Sequence, residues 1–399
     1  MAPVFTGKWF GFGRNPSAGG GDAGDPDFVA SGGAIAEYTD PASQVWRCHL
    51  FTDSNQTFNI PGAQGVPGSI DILVIGGGGA GGIGNGDQDT GKGGGGAGGV
   101  VFASQVPVTA DPGGITCPMQ VGEGSAGRWG KSSTPAPGGA QIPANNQNNG
   151  QPSTFTLPSE GGNPTNLVFT ALGGGGGGQS DTNWPGNWGS NAGHAGGSGG
   201  GGAGRGPGPY DAGPGTQPTQ NPNMPWVSQW GSNGGAANGA NQAGGAGGGG
   251  AESSGQDCPA QTGGQGGQGV EDFIDDSTAK TLAFCNALRL GTNPSNVGSD
   301  GVDPAELSVW NCSPTTPGNR CVAGGGGGGT GTNGPDFTNT LSIGGRGGGG
   351  RAGLGRNVNQ TGPSSSLLPI AWWNCIGGLD FTGSGGGASS DCPLSDGSP

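Results

Sequence analysis

Short apolar stretches interrupted by glycine dominate the first half of the chain and predict β-strands. The clearest covers residues 69–75, where β-branched side chains lead directly into the glycines at 76–79. The same junction recurs at residues 166–172, which six glycines at 173–178 follow. Other predicted strands cover residues 46–52, 57–60, 100–103 and 115–121, and residues 153–172 supply two. This pattern predicts short strands that run into glycine.

One later segment has the pattern of an α-helix. Residues 278–290 follow two acidic residues and Ser277, a candidate N-cap, and Gly291 comes directly after them. Apolar side chains recur along one side of this segment, at Leu282, Cys285, Leu288 and Leu290. We therefore expect one short α-helix in the chain.

Uninterrupted glycine runs are the strongest feature of the composition. Glycine supplies 102 of 399 residues and proline another 32, a composition that without a period is typical of disorder. Collagen needs glycine at every third position, whereas these glycines are contiguous. Contiguous glycines let polyproline-II helices touch and pair their backbone groups laterally. The further runs cover residues 93–96, 199–202, 247–250, 324–329 and 347–350.

The predicted fold class is therefore mainly β and irregular. We expect short β-strands packed with a bundle of polyglycine-II helices, together with one short α-helix. Within this bundle, the runs 173–178 and 324–329 are expected to lie side by side. The chain divides into an N-terminal attachment segment (1–45), a strand-rich glycine-rich domain (46–178), and a polyglycine-II region with long loops and a C-terminal segment (179–399).

Charge and hydropathy exclude several function classes. The 27 acidic residues exceed the 13 Lys and Arg, so the net charge is −14 and the pI about 4.2. A chain without a basic stripe is not expected to bind nucleic acid. Its longest apolar stretches, residues 72–75 and 367–373, are too short to span a bilayer, so no membrane insertion is expected. Residues 1–8 lack the order of a signal peptide.

Catalytic and cofactor motifs find little support. Residues 71–81 match a dinucleotide-binding fingerprint, but the following glycines preclude the helix that would hold the pyrophosphate. Residues 86–92 resemble a P-loop but lack its Ser or Thr. Only His49 and His194 supply imidazoles, and they form no recognisable constellation with a nucleophile. We expect no enzyme activity, no catalytic residue, no cofactor and no metal site.

Eight cysteines leave the redox state open. No two of them form the close pairs of a zinc site. An even number allows disulfides in an oxidising compartment, and buried thiols are the alternative. The sequence does not decide between the two, nor does it fix a pairing. The cysteines are Cys48, Cys117, Cys258, Cys285, Cys312, Cys321, Cys375 and Cys392.

Two groups of aromatic residues are candidates for contact with partners. One group lies in loops 179–198 and 206–233, which are expected at one end of the glycine bundle. Rigid rings in polar loops are typical of recognition surfaces, although the same rings could instead fasten the loops to the bundle. These receptor-contact candidates are Trp184, Trp188, Tyr210, Trp226 and Trp230. The second group, which we expect to dock onto a neighbouring subunit or another protein of the same assembly, comprises Phe5, Trp9, Phe10 and Phe12.

An ordered series of motifs resembles the glycine-rich domain of tailed-bacteriophage fibre and adhesin proteins. The resemblance covers roughly residues 46–202, and glycine runs alone extend it loosely to residue 351. The matching segments are Trp46-x-Cys48-His49-x-Phe51-Thr52, then residues 57–60, 71–79, 93–101, 119–122, 153–155 and 168–178.

This resemblance implies a virion structural protein on the surface of an extracellular particle. It would be a tail fibre or fibre-tip component that contributes to host-cell attachment. The implied partners are other virion proteins, further copies of the chain in a homo-oligomer, and a host surface glycan or outer-membrane protein. Two alternatives remain open at this point. One is a capsid, neck or head-fibre decoration protein without a receptor role, and the other is an extracellular glycine-rich matrix protein.

Overall fold

A computed structural model describes a set of segments distributed along the whole chain. The predicted helix at 278–290 lies outside the described residues. The described residues are 4–6, 30–39, 45–60, 67–82, 91–109, 113–125, 149–159, 165–179, 192–204, 210–217, 227–238, 244–258, 262–271, 321–329, 344–345, 347, 349–350, 352 and 383–388.

The described part of the chain is mainly β, as the sequence predicts. Its strands form small antiparallel sheets, and no α-helix occurs among the described residues. The strands are β1 (Val4–Thr6), β2 (Ala34–Thr39), β3 (Val45–Phe51), β4 (Phe58–Ile60), β5 (Pro67–Ile75), β6 (Val100–Thr109), β7 (Ile115–Cys117), β8 (Met119–Gln120), β9 (Ser153–Leu157), β10 (Leu167–Ala171) and β11 (Val227–Trp230).

The largest sheet has six strands in the order β11-β6-β5-β1-β3-β2. Its longest pairing joins β5 to β6 and contains an irregularity between Ile70 and Ile72. There the Asp71 carboxylate accepts a hydrogen bond from the backbone N–H of Gln105 at 2.7 Å. Gln105 has a φ of 52°, a left-handed conformation that side chains disfavour. Beyond this irregularity β6 continues to Thr109, past its predicted end at Ala103.

Two smaller sheets complete the strand-rich region. One has the order β10-β9-β8 and the other pairs β4 with β7. Along β9 and β10 buried and less buried positions alternate, as expected for strands with one face on a core. Phe155 on β9 and Phe169 on β10 are both fully buried. The small sheets therefore turn an apolar face inward.

Buried side chains lie on both faces of β5, because the strand alternates between two apolar clusters. Ile72 and Val74 belong to a cluster that also contains buried residues of the two small sheets. Leu73 and Ile75 belong to a second cluster, whose other members include Ala97 from a glycine-rich segment. The large sheet therefore lies between the small sheets on one side and the glycine-rich segments on the other.

The large sheet crosses both predicted domain boundaries. Strands β1 and β2 precede residue 45, yet β1 pairs with β3 and β5, and β2 pairs with β3. Strand β11 follows residue 178 and pairs with β6. Sequence analysis missed these three strands because two are short and all depend on partners distant in the chain. The described strands β1 and β2 are therefore part of the same sheet as β3 and β5.

Candidate functional site

The glycine-rich segments are joined by backbone hydrogen bonds into one continuous arrangement, here called the glycine array. The array consists of residues 76–82, 91–99, 172–179, 192–204, 231–238, 244–251, 262–269, 321–329 and 383–388. Almost all of these glycines are buried. Their polar backbone groups lie away from water, where an unpaired N–H or C=O is costly. The pairing of these groups therefore determines whether the array is stable.

Residues 91–99, the central run, change hydrogen-bond partner at each residue and return to the same partner at every third residue. Their N–H groups donate to three different segments in turn, 172–179, 244–251 and 383–388. The donor–acceptor pairs are Gly93–Gly178, Gly96–Gly175 and Gly99–Leu172 for the first segment, Gly94–Ala246 and Ala97–Gly249 for the second, and Gly95–Gly386 and Gly98–Gly383 for the third.

The carbonyl groups of the central run follow the same three-residue repeat with three further segments. They accept hydrogen bonds from residues 76–82, 192–204 and 321–329, so the central run has six neighbours in all. A repeat of three residues fits neither the two-residue repeat of a β-strand nor the 3.6-residue turn of an α-helix. The acceptors and donors are Gly93–Gly82, Gly96–Gly79 and Gly99–Gly76, then Gly91–Gly204, Gly94–Gly201 and Ala97–Ser198, then Lys92–Gly329 and Gly95–Gly326.

Glycine is required in the array because of close approach between backbones. A Cβ at Gly175 would overlap the carbonyl oxygen of His194, and one at Gly326 would overlap that of Gly386. A left-handed backbone explains few of these positions. Among the described glycines, φ is positive at only five, and two of these, Gly32 and Gly33, precede β2. A side chain in the array would therefore displace a neighbouring segment even where its own φ is unstrained.

The runs 173–178 and 324–329 are not direct neighbours, contrary to the sequence prediction. No backbone hydrogen bond joins them within the described residues. Both runs form backbone hydrogen bonds with the central run, which lies between them. The sequence could not reveal this order, because glycine carries no side chain that distinguishes one neighbour from another.

Three alanines of the array contact the large sheet. Ala97, Ala251 and Ala323 are buried in the same cluster as Leu73 and Ile75 of β5. Their methyl groups lie among apolar side chains, in contrast to positions where a Cβ would meet backbone. Other buried alanines of the array, such as Ala80 and Ala203, lie outside this cluster.

Side-chain amides form hydrogen bonds with individual backbone groups at the edge of the array. The Gln217 Oε1 accepts from the Leu172 N–H at 3.1 Å, and its Nε2 donates to the Thr170 carbonyl at 2.8 Å. The Asn149 Oδ1 similarly accepts from the Gly176 N–H at 2.7 Å. A carboxamide has the same donor and acceptor as a peptide group, so these side chains substitute for a further run. Sequence analysis did not identify them.

The array has two distinct ends. At the Gly99 end, β5 leads into residue 76, β10 leads into residue 172, and the central run continues into β6. At the opposite end, here called the distal end, Gly82, Gly178, Gly204 and Gly329 are bonded to residues 91–93 of the central run. The chain continues from these four places into segments 83–90, 180–191, 205–209 and 330–343, which lie outside the described residues.

Two of the five receptor-contact candidates lie within the described residues, and both are half-buried. Trp230 is the last residue of β11 and packs against the cluster that contains Leu73. The backbone of Tyr210 exchanges two hydrogen bonds of 3.0 Å with Ala237. Trp184, Trp188 and Trp226 lie outside the described residues. Tyr210 and Trp230 therefore both make contacts within the fold.

Of the virion-docking candidates, Phe5 is described through its backbone. It lies at the middle of β1, opposite Leu50 on β3 and Leu73 on β5. Trp9, Phe10 and Phe12 lie outside the described residues. Since β1 lies inside the large sheet, a deletion of residues 2–14 would remove a central strand along with these aromatic residues.

Burial determines the ionisation of the two histidines. His49 is almost inaccessible, its Nδ1 lies 2.8 Å from the Gly32 carbonyl oxygen, and its ring packs edge-on against Phe58. Burial lowers the pKa of His49, the bond to Gly32 partly opposes this, and Arg47 lowers it further. Burial also lowers the pKa of His194, whose Nε2 has no hydrogen-bond partner among the described residues. Both rings are therefore neutral at pH 7.

Two buried cysteines are poor nucleophiles. Burial raises the pKa of the Cys48 thiol to about 12, and the nearby Asp71 carboxylate contributes in the same direction. Burial likewise raises the pKa of Cys117 to about 12. A thiol that stays protonated is inert towards oxidants and electrophiles. Cys258 and Cys321 are also buried, and the remaining four cysteines lie outside the described residues.

The described residues offer no assembled metal site and no membrane span. No three His, Cys, Asp or Glu side chains among them come together as ligands. No helix in this part of the chain is long and apolar enough to cross a bilayer. No protein-family model matches the chain, and neither a curated protein nor a solved structure matches it.

Proposed function

We propose that the glycine array is a bundle of polyglycine-II helices and that the chain is a virion structural protein of a tailed bacteriophage. In this proposal it forms part of a tail fibre or fibre tip on the particle surface and contributes to host-cell attachment. The observation that carries the proposal is the three-residue repeat of hydrogen-bond partners along the central run. A polyproline-II helix has three residues per turn and no internal hydrogen bonds, so it would present its groups to neighbours in this way.

A structural role is favoured by how the array is stabilised. Its segments are held by backbone hydrogen bonds to several neighbours, so each helix is supported on many sides. Such a body is suited to carrying load and to holding its ends at fixed positions.

A role in attachment is favoured by the distal end. Four segments that leave the array there are free to vary in sequence without altering the runs, as loops on a rigid scaffold generally do. Segment 180–191 contains Trp184 and Trp188. We propose that these rings contact a host surface glycan or an outer-membrane protein by stacking and hydrogen bonding. Since the net charge is −14, attraction between charges is not expected to hold the chain on an anionic target, and binding by stacking and hydrogen bonding should depend little on salt.

The test has two stages, of which the first concerns the particle. Antibodies against the purified chain should label phage particles, and density for the chain should lie on a fibre or its tip. If the chain is missing from purified particles, the virion proposal is wrong and the extracellular matrix alternative becomes preferable.

The second stage concerns the host. Double substitution of Trp184 and Trp188 by alanine should reduce adsorption to host cells while particle assembly stays normal. Substitution of the exposed Ser228 by alanine is the matched control and should leave adsorption unchanged. If the tryptophan variant adsorbs normally, the protein decorates the particle without binding a receptor. That second candidate is favoured by the half-buried positions of Tyr210 and Trp230.

A further inference from the structure

Two asparagines in or beside the glycine array are each followed by glycine, at Asn149-Gly150 and Asn233-Gly234. Such a pair is prone to hydrolytic deamidation, because glycine has no side chain to hinder the attack of its own nitrogen on the preceding carboxamide. Water has access to both sites, since Asn149 and Asn233 are exposed. The reaction therefore depends on how the fold holds the carboxamide and the glycine nitrogen.

The folded chain holds both reacting groups of Asn149-Gly150. The Asn149 Oδ1 accepts from the Gly176 N–H at 2.7 Å, and its Nδ2 donates to the Ala195 carbonyl at 3.2 Å. The Gly150 N–H donates to the Gly174 carbonyl at 2.9 Å. For reaction, the Gly150 nitrogen must lose its proton and approach the carboxamide carbon to about 3–3.5 Å in an aligned geometry. Three hydrogen bonds oppose this approach, and all three are absent once the array opens.

Asn233 is held in a way that an aspartate could reproduce. Its Oδ1 accepts from the Gly215 N–H at 2.8 Å, and the Gly234 N–H donates to the Gly213 carbonyl at 2.9 Å. Within the described residues, its Nδ2 donates no hydrogen bond. A carboxylate accepts as a carboxamide oxygen does but donates nothing. Conversion to aspartate therefore keeps the bond at residue 233, whereas at residue 149 it removes the donor to Ala195.

We propose that Asn149 is a deamidation site that the folded array protects, and that its modification weakens the array when it closes again. In the opened chain, the deprotonated Gly150 nitrogen forms a bond to the Asn149 side-chain carbonyl carbon. The bond from this carbon to Nδ2 breaks, and the nitrogen leaves as ammonia. One water molecule then opens the resulting succinimide ring at either carbonyl, which gives aspartate or isoaspartate. This proposal does not depend on the role of the protein in a virion.

Both products fit the array less well than asparagine. Aspartate places a carboxylate oxygen beside the Ala195 carbonyl oxygen, and two acceptors without a proton between them repel. Isoaspartate routes the main chain through the former side chain and adds one methylene before Gly150. Gly150 has little room to move, since even a Cβ there would overlap the Gly77 carbonyl oxygen. Each opening thus carries a risk of permanent damage at this site.

The rate of modification in the unsubstituted full-length protein tests the protection. The protein is held in mildly alkaline buffer with or without denaturing urea, and deamidation is followed by mass spectrometry of its peptides. Asn149 should deamidate in urea and at least about tenfold more slowly in buffer, because only the opened fraction reacts. Asn166, which precedes Leu167, is the internal control and should react slowly in both. Equal rates at Asn149 in the two solutions, or no reaction in urea, would overturn the proposal.

Two matched variants test the consequence of modification. Asn149→Asp should lower the urea midpoint of unfolding, whereas Asn233→Asp, which introduces the same charge, should change it very little. A midpoint unchanged by Asn149→Asp, or lowered equally by both, contradicts the second half of the proposal.

A further measurement avoids substitution altogether. Protein partly deamidated in urea is returned to buffer, and its folded and unfolded fractions are separated by size exclusion. Chains modified at Asn149 should be enriched in the fraction that does not refold, and chains modified at Asn233 should not. Equal distribution of the two modifications would show that Asn149 has no special effect on closure.

Discussion

The large sheet and the glycine array are stabilised in opposite ways. In the sheet, side chains are buried on both faces, for example Ile72 on one and Leu73 on the other, and the hydrophobic effect contributes most of the stability. In the array the buried side chains are few and mostly alanine, with Lys92 the largest, and the backbone itself fills most of the interior. Apolar burial tolerates changes of shape that keep volume roughly constant, whereas backbone contact tolerates no added atom. The two regions should therefore respond very differently to substitution.

The largest effect is expected from a side chain added inside the array. Gly175→Val would place its Cβ on the His194 carbonyl and separate segments 172–179 and 192–204. We expect loss of soluble folded protein, measured by expression yield and circular dichroism. The matched control is Gly386→Ala, which should remain folded because its Cβ would lie 3.3 Å from the nearest atom, the Gly81 backbone nitrogen, and so would require only a small shift. Normal folding of Gly175→Val would show that the array is not closely packed.

Truncation of a side chain in the apolar core should lower the free energy of unfolding without preventing folding. Phe155 is fully buried, with ring centroids 6.3 Å from Phe58 and 6.4 Å from Phe169. Phe155→Ala should lower the free energy of unfolding by about 3–5 kcal/mol, measured by urea denaturation. Phe155→Leu, which keeps most of the volume, should cost clearly less. If both variants unfold as readily as Gly175→Val, the supposed difference between the regions does not exist.

The amide caps at the edge of the array should have an intermediate effect. Gln217→Ala leaves the Leu172 N–H and the Thr170 carbonyl without their partner, at a cost of about 1–3 kcal/mol. Thermal unfolding measures this loss. The exposed Gln265 is the control, and its substitution by alanine should change stability very little. Equal effects at the two glutamines would contradict the capping role.

Acid should produce the smallest effect, and it should act on both regions. Because the pKa values of His49 and His194 are lowered in the folded state, protonation favours the unfolded chain. The stabilising contribution is fully present above the unfolded value near 6.5. It is lost as the pH falls from there through the folded pKa values. Unfolding curves at pH 7.5 and 5 should show the loss, and His49→Gln should reduce it. A stability that does not change over this range would contradict the neutral state of the buried rings.

The sequence predicted what depends on local pattern. The apolar alternation at 69–75 and 166–172 identified β5 and β10, and contiguous glycine indicated backbone contact. The strands β1 and β2 escaped prediction because their stability comes from β3 and β5, which lie elsewhere in the chain. The contacts between glycine runs could not be predicted for a different reason. Identical residues carry no information on which neighbouring run each one contacts.

Candidate site residues were harder to predict than the fold. Trp230 was assigned to a recognition loop because its neighbours are polar, yet it ends a strand and packs on the core. Gln217 gave no signal, because its function depends on backbone groups 45 and 47 residues away. Its partners could be identified only once the backbone of β10 and the array was known.

The three-residue repeat of the central run also restricts how this gene can change in length. Inserting one codon within 91–99 would rotate every later N–H towards the wrong neighbour and break bonds along the rest of the run. Inserting three codons would restore the original phase and lengthen the run by one three-residue repeat. Natural variants should therefore gain or lose residues in multiples of three within the runs, while the segments beyond the distal end accept changes of any length.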